Sequence, residues 1–244
     1  MRPRAEREAV LELVEQGLTD TEVGRVLAIP RRTIGDWRRM GRNFRGKPTC
    51  AVCRGEPAEL PSKPYAYILG MYLGDGYIAR STRTYRLTFA CDAAYPRIIE
   101  RCGQALGDLM PGKVAGSRKR PESRCIDIWM YSNHWPCFFP QHGTGRKHER
   151  PIVLADWQRE IIEVQTAEFL TGLIHSDGCR VETLDRGVPS VRYHFSNKSS
   201  DIRELFCDAL ERVGVHWTRN KPNSIAIYRK RDTAFLDTMI ERKR

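Results

Sequence analysis

Two aspartates, Asp75 and Asp177, stand in matching settings. Each closes an apolar stretch and precedes a glycine, in "YILGMYLGDGY" (residues 67–77) and "FLTGLIHSDGC" (residues 169–179). At a helix C-terminus a carboxylate meets the negative end of the helix dipole, which costs about 0.3–1 kcal/mol in an exposed setting. Two such carboxylates side by side also repel, which raises one pKa. A divalent cation, Mg²⁺ or Mn²⁺, removes both penalties, because it takes oxygen ligands and shares carboxylates with phosphate oxygens. Ions so held activate water and stabilise the leaving oxygen of a phosphodiester. A single Asp-Gly after a helix reads as an ordinary turn; its duplication argues for more.

The helices themselves supply the means of bringing the acids together. Gly70 and Gly74 lie four apart in the first, Gly172 and Ser176 in the second, and residues at i and i+4 share a face. Two smooth strips of this kind pack closely and set Asp75 beside Asp177. Gly76 and Gly178 can take the left-handed conformation that ends a helix.

The repetition extends beyond the helices. "YIARSTRTYRLTFAC" reads as two strands around a turn, "AYPRIIERCGQALGDLM" as a helix, "GKVAGS" and "RCIDIWMY" as strands and "NHWPCFF" as a short helix. The later chain repeats this order with "GCRVETLDRGVPSVRYHFSN", "SDIRELFCDALERVG", "VHWTRN", "NSIAIYRK" and "RDTAFLDTMIER". Each half is therefore helix-strand-strand-helix-strand-strand-helix, with Asp75/Asp177, Phe89/Phe195 and Ile126/Ile225 as corresponding landmarks, the mark of an internal duplication. Strand alternation puts Tyr85, Leu87 and Phe89 on a core face and Arg86 and Thr88 opposite; Val191, Tyr193 and Phe195 match the first set, Arg192, His194 and Ser196 the second. Arg80 and Arg83 add charge around the first turn. With 41 basic against 30 acidic residues, a formal net charge of +11, two polar, cationic strand faces suit a β-ribbon lying in a DNA groove.

Residues 1–44 show three short helical patterns. Thr19 and Glu22 stand in capping-box relation, Val23, Val26 and Leu27 form an apolar face, and Ile34 and Trp37 face inward from a third, cationic helix. The pattern is that of a helix-turn-helix domain, with Arg31, Arg32, Thr33, Arg38 and Arg39 presented to the major groove. Residues 45–64 read as a Pro- and Gly-rich linker holding Cys50-x-x-Cys53, half of a tetrahedral zinc site, for which Cys137, His142 and His148 are candidate completers. The remaining five of the eight cysteines read as small core residues. No apolar run reaches the roughly 18 residues of a membrane span, and "MRPRAEREAV" lacks a signal-peptide centre, so a reducing cytoplasm is expected.

The motifs "YILGMYLGDGYI" and "FLTGLIHSDGCR", with the order of elements around them over about residues 65–240, resemble the paired motifs of LAGLIDADG homing endonucleases. The resemblance implies an α+β fold of two pseudo-symmetric αββαββα repeats, 65–150 and 151–244, forming a saddle on double-stranded DNA. It implies a monomer that cuts both strands, with Asp75 and Asp177 as catalytic acids holding Mg²⁺ and the backbone carbonyls of Gly74 and Ser176 assisting. Lys230 fits the basic residue that such enzymes keep after the last strand of a repeat; the first half has Ser132 at that place, with His134 close by. A helix-turn-helix joined to a LAGLIDADG-like domain is similar to certain bacterial regulators that do not cut DNA, although the order of the two parts is reversed here and both acids are present. The fold also serves RNA maturases.

Overall fold

The structure is a computed structural model that describes residues 4–40, 50–185, 187–241 and 243. Residues 41–49, which hold the end of the expected helix-turn-helix domain and the start of the expected linker, lie outside the described residues. The chain divides into two compact units, Met1–Arg54 and Gly55–Arg244.

In the first unit, α1 (Arg4–Glu15), α2 (Asp20–Leu27) and α3 (Arg31–Met40) enclose Val10, Val23, Ile29 and Ile34, with Leu13, Leu18, Leu27 and Trp37 packed around them. Gly17, at φ +93°, ends α1. The capping box starts α2: the Thr19 amide donates to the Glu22 carboxylate at 2.8 Å and the Glu22 amide to Thr19 Oγ1 at 3.4 Å, a cap worth about 1 kcal/mol. Ala28 closes α2 in the left-handed region, at φ 53°. The Pro30 carbonyl then accepts the amides of Thr33 and Ile34 and opens α3. A further turn, α4 (Ala51–Arg54), follows Cys50 and contains Cys53.

The second unit begins with a 3₁₀ turn at Pro57–Glu59 and α5 (Ser62–Leu73), so the stretch expected as linker is already structured in its second half. Then come β1 (Tyr77–Arg80), β2 (Tyr85–Asp92), α6 (Pro96–Leu109), β3 (Gly116–Lys119), β4 (Cys125–Ser132) and α7 (Trp135–Phe138). After a 3₁₀ turn at Lys147–Glu149, the chain continues through α8 (Asp156–Val164), α9 (Thr166–Asp177), β5 (Gly178–Asp185), β6 (Val188–Ser196), α10 (Ser200–Arg212), β7 (Thr218–Lys221), β8 (Ser224–Ile227) and α11 (Lys230–Met239). The two antiparallel sheets have the same order, β1-β2-β4-β3 and β5-β6-β8-β7. The element order read from sequence is thus found twice.

Four details differ from that reading. β3 starts at Gly116 and leaves Val114 exposed; Gly116 itself lies against the Trp129 ring with no room for a side chain. In the register Phe89 pairs with Ile128 and Phe195 with Ile225, so the counterpart of Ile225 in the first half is the buried Ile128, not Ile126. The landmark expected from sequence lies two residues away from the observed one, a slip that preserves the face and hides in the sequence. Gly76 and Gly178 are not left-handed. They are glycine because a Cβ would come 2.6 Å from Tyr72 Cα and 2.7 Å from Ile174 Cα.

The fourth difference is α8, which precedes the second repeat and has no counterpart in the first. Its Gln158 is fully buried, donates to Tyr65 Oη at 2.6 Å and pairs with Gln141. Tyr65 in turn donates to the Phe138 carbonyl at 2.6 Å. This satisfied polar cluster fixes α8 against α5, as a buried amide without partners would be costly.

Candidate active site

α5 and α9 meet backbone to backbone. A Cβ on Gly172 would come 2.2 Å from the Tyr67 carbonyl oxygen, and one on Gly70 2.5 Å from that of Phe169. At Gly74 it would lie 2.1 Å from Ser176 Oγ and 3.2 Å from Asp177 Cγ. The Ser176 hydroxyl folds back onto its own helix, donating to the carbonyls of Gly172 and Leu173, both at 3.0 Å. The small-residue strips therefore bring the two helix ends, with Asp75 and Asp177, to one place.

Both acids are largely buried. Burial raises the Asp75 pKa, against the pull of Lys147 and Lys243. Asp177 is pushed up to about 6, first by burial and then by Asp75, while the Asn197 amide and the two lysines act the other way. Asn197 Nδ2 donates to Asp177 Oδ2.

Two lysines close the site. Lys147 Nζ donates to the carbonyls of Tyr72 (2.5 Å), Gly74 and Gly76 (2.9 Å). Lys243 Nζ donates to the carbonyls of Gly178 (2.5 Å) and Ser176 (3.4 Å). Each ammonium thus satisfies carbonyls left open at a helix end and offsets the negative end of its dipole. Burial lowers Lys147 to about 8, opposed by Asp177 and Asp75.

Neither lysine was singled out from sequence. The signal was available, since each is a lysine beyond the last helix of its half. Lys230 instead opens α11 at the surface, and the cations acting on Asp75 and Asp177 are Lys147 and Lys243. The carbonyls of Gly74 and Ser176 accept from these same lysines, each with a second lone pair left for another partner.

A cleft of about 600 Å³ opens onto the pair, lined by Asp75, Asp177, Lys147, His142, His148 and Asn197 among others. The donors grouped at its floor are carboxylate and carbonyl oxygens, the set that suits a hard divalent cation. Burial raises both carboxyl pKa values and repulsion from Asp75 adds to that of Asp177, the condition that a bound cation relieves. The residues present fit Mg²⁺ or Mn²⁺.

The outer strand faces carry stacked cations. The Arg86 guanidinium lies 4.5 Å from the Trp129 ring centre and 6.0 Å from that of Tyr131; Arg192 lies 5.4 Å from Tyr228, and His194 packs on the same ring. The three aromatic partners were not read as site residues from sequence. Thr88, expected on the open polar face, is fully buried, flanked in register by Tyr77 and Trp129. Arg80 is exposed over Tyr85, and Arg83 is exposed in the turn.

In the first unit Arg31, Arg32, Arg38 and Arg39 are exposed and Thr33 is half-buried. Arg38 pairs with Asp20 at 3.2 Å and Arg39 with Asp36. Cys50 is buried and Cys53 exposed, and burial raises the Cys50 thiol. Of the candidate zinc completers, His142 and His148 line the acid cleft of the second unit; Cys137 lies in α7, half-buried.

No family model and no curated protein matches the sequence. Among solved structures, variants of the homing endonuclease I-DmoI are similar to 73% of this chain over 95% of their own, at 16% identity and a TM-score of 0.48. The LAGLIDADG meganuclease I-AabMI, bound to uncleaved DNA, gives 12% identity and 0.46 over 72% and 82%. The homing endonuclease I-WcaI on its recognition sequence gives 14% and 0.47 over 74% and 81%. Likenesses this distant decide nothing about activity.

Proposed function

We propose that the protein is a site-specific double-strand DNA endonuclease of the LAGLIDADG type, acting as a monomer with Mg²⁺ or Mn²⁺. The observation that carries this reading is the meeting of Asp75 and Asp177, from two copies of one motif, at the floor of a cleft flanked by two lysines. A duplex has two strands, and a duplicated half-site offers one acid for each.

Asp75 and Asp177 would hold the cation, which supplies a water activated near neutral pH and charge to offset the leaving oxygen. The chain's own residues do the rest. Asn197 donates to Asp177 and so holds its carboxylate ionised and oriented. Lys147 and Lys243 fix the helix ends and balance the acids before DNA arrives. Arg86, Arg192 and His194 face the duplex, held on aromatic rings that limit their freedom and so the entropy lost on binding. Arg31 and Arg32 of α3, acting as a helix-turn-helix domain, lengthen the target.

A randomised duplex library incubated with Mg²⁺, with the cut ends sequenced, tests the proposal. Cutting at one selected site is expected from the wild type and none from Asp75→Asn or Asp177→Asn. Tight binding to a selected site that is never cut assigns the protein to the non-catalytic regulators, and Mg²⁺-dependent splicing of an intron RNA without DNA cutting to the maturases.

Cys50 and Cys53 are proposed as two thiolate ligands of a structural zinc. Zinc bound at one per chain should be lost in Cys50→Ser, and loss in Cys137→Ser would name a third ligand. Unchanged zinc in Cys50→Ser rejects the site.

A further inference from the structure

The segment after α11 places Lys243 at the acid pair, and a separate set of residues holds that segment. Ile240 is buried and donates its amide to the Leu236 carbonyl at 2.8 Å. The next residue, Glu241, is held twice. Its carbonyl accepts from His175 Nε2 of α9 at 2.6 Å, and its carboxylate from Arg101 Nη1 of α6 at 2.7 Å. Lys243 follows two residues later and reaches the carbonyls of Ser176 and Gly178.

Arg101 is fixed from two further directions. Its guanidinium lies 4.3 Å from the ring centre of Tyr67 on α5, and its other terminal nitrogen donates to Glu168 of α9. The Tyr67 hydroxyl meets His175 Nδ1 at 3.2 Å, so the imidazole accepts there and donates to Glu241 from Nε2. One side chain from the first repeat thus spans both motif helices and the segment that carries the second repeat's lysine. It forms one wall of a cleft of about 690 Å³ that also includes Glu168, Glu241 and Lys63, distinct from the acid cleft in its lining residues.

An isolated pair between Arg101 and Glu168 would tie α6 to α9. The second bond, to Glu241, reaches beyond those helices and acts on the residue after α11 that precedes Lys243. A planar guanidinium serves two carboxylates in fixed directions, which a lysine ammonium on a flexible stem does not reproduce.

We propose that Arg101 is a positioning residue for the cleavage site: it latches Glu241, just after α11, so that Lys243 is held against the end of α9 beside Asp75 and Asp177. This rests on the endonuclease reading only for its effect on cutting; the latch itself is independent of it.

The test uses the full-length protein with Arg101→Met, Arg101→Lys, Glu241→Gln, Lys243→Met and the Arg101→Met/Lys243→Met double variant. Hydrogen exchange of the peptide spanning 240–243 reads the latch. Faster exchange is expected in Arg101→Met and Glu241→Gln, and unchanged exchange there overturns the latch whether or not the wild type cuts DNA. Single-turnover cutting reads its consequence. Arg101→Met and Glu241→Gln should each slow cutting about tenfold or more at unchanged DNA affinity, with partial recovery in Arg101→Lys. The double variant should be no slower than Lys243→Met alone, because Arg101 acts through Lys243. Multiplied losses in the double variant, or an effect on DNA affinity alone, overturn the positioning role. Loss of protection in Arg101→Met and Glu241→Gln, together with a wild type that cuts no site, keeps the latch and rejects the endonuclease reading.

Discussion

Asp177 carries a conflict that a single substitution exposes. Its folded pKa of about 6 lies above the value of about 3.9 expected in the unfolded chain, so the folded protein binds the extra proton between these values. Stability from this group is therefore present at low pH and is lost as the pH rises through about 6. Asp177→Asn should consequently stabilise the metal-free protein at pH 8, by about 1–2 kcal/mol after allowance for solvent screening, with no gain at pH 4; melting in chelator across that range checks it. The same carboxylate must be ionised to hold a cation, so Mn²⁺ affinity should fall as the pH drops below about 6. Asn197 pulls the pKa down, hence Asn197→Ala should move that limb to higher pH, as titration calorimetry would show. Asp75 and Asp177 were legible in the sequence as a repeated type at a repeated place. Lys147 and Lys243 share a place beyond the last helix of each half, but nothing along the chain ties that place to the acids, and Asn197 gives no sign of what it will touch.

At the scale of elements, the α5–α9 crossing leaves no room for a side chain at Gly70, Gly74 or Gly172. Gly172→Ala would drive a methyl group to 2.2 Å from the Tyr67 carbonyl. It should destabilise by about 1–3 kcal/mol or more, and part the acids as well. Gly103, inside α6, is a control: its nearest neighbour would be Ala115 Cβ at 4.0 Å, so Gly103→Ala should stabilise by about 0.5–1 kcal/mol. Denaturant unfolding of both variants gives the comparison. The glycine strips were legible because four-residue spacing fixes a helix face whatever surrounds it. The helix α8 was not legible as a separate element, because "ADWQREIIEVQTAEFL" runs directly into the second motif and has no counterpart to flag it. The burial of Thr88 was missed for a different reason. Alternation assigns a face, but whether that face is covered depends on the neighbouring strands' Tyr77 and Trp129.

Across the whole molecule, a net charge of +11 predicts DNA binding that weakens steeply with salt. If Arg31 and Arg32 touch phosphates, the Arg31→Ala/Arg32→Ala variant should reduce the log-log salt slope by about 2, and an unchanged slope would remove α3 from the DNA interface. The sequence by itself determined the order of elements in both halves, the three helices of the first unit, the two acids and the strips that bring them together. These follow from local periodicity, caps and repetition, which act within a few residues of chain. Only the tertiary structure decided that Lys147 and Lys243 close the acid site, that Ile128 and not Ile126 faces Phe89, and that Arg101 of the first half holds a segment of the second. Those pairings join residues as many as 140 positions apart, and burial and hydrogen bonding at such range depend on how the elements pack, which no spacing along the chain encodes.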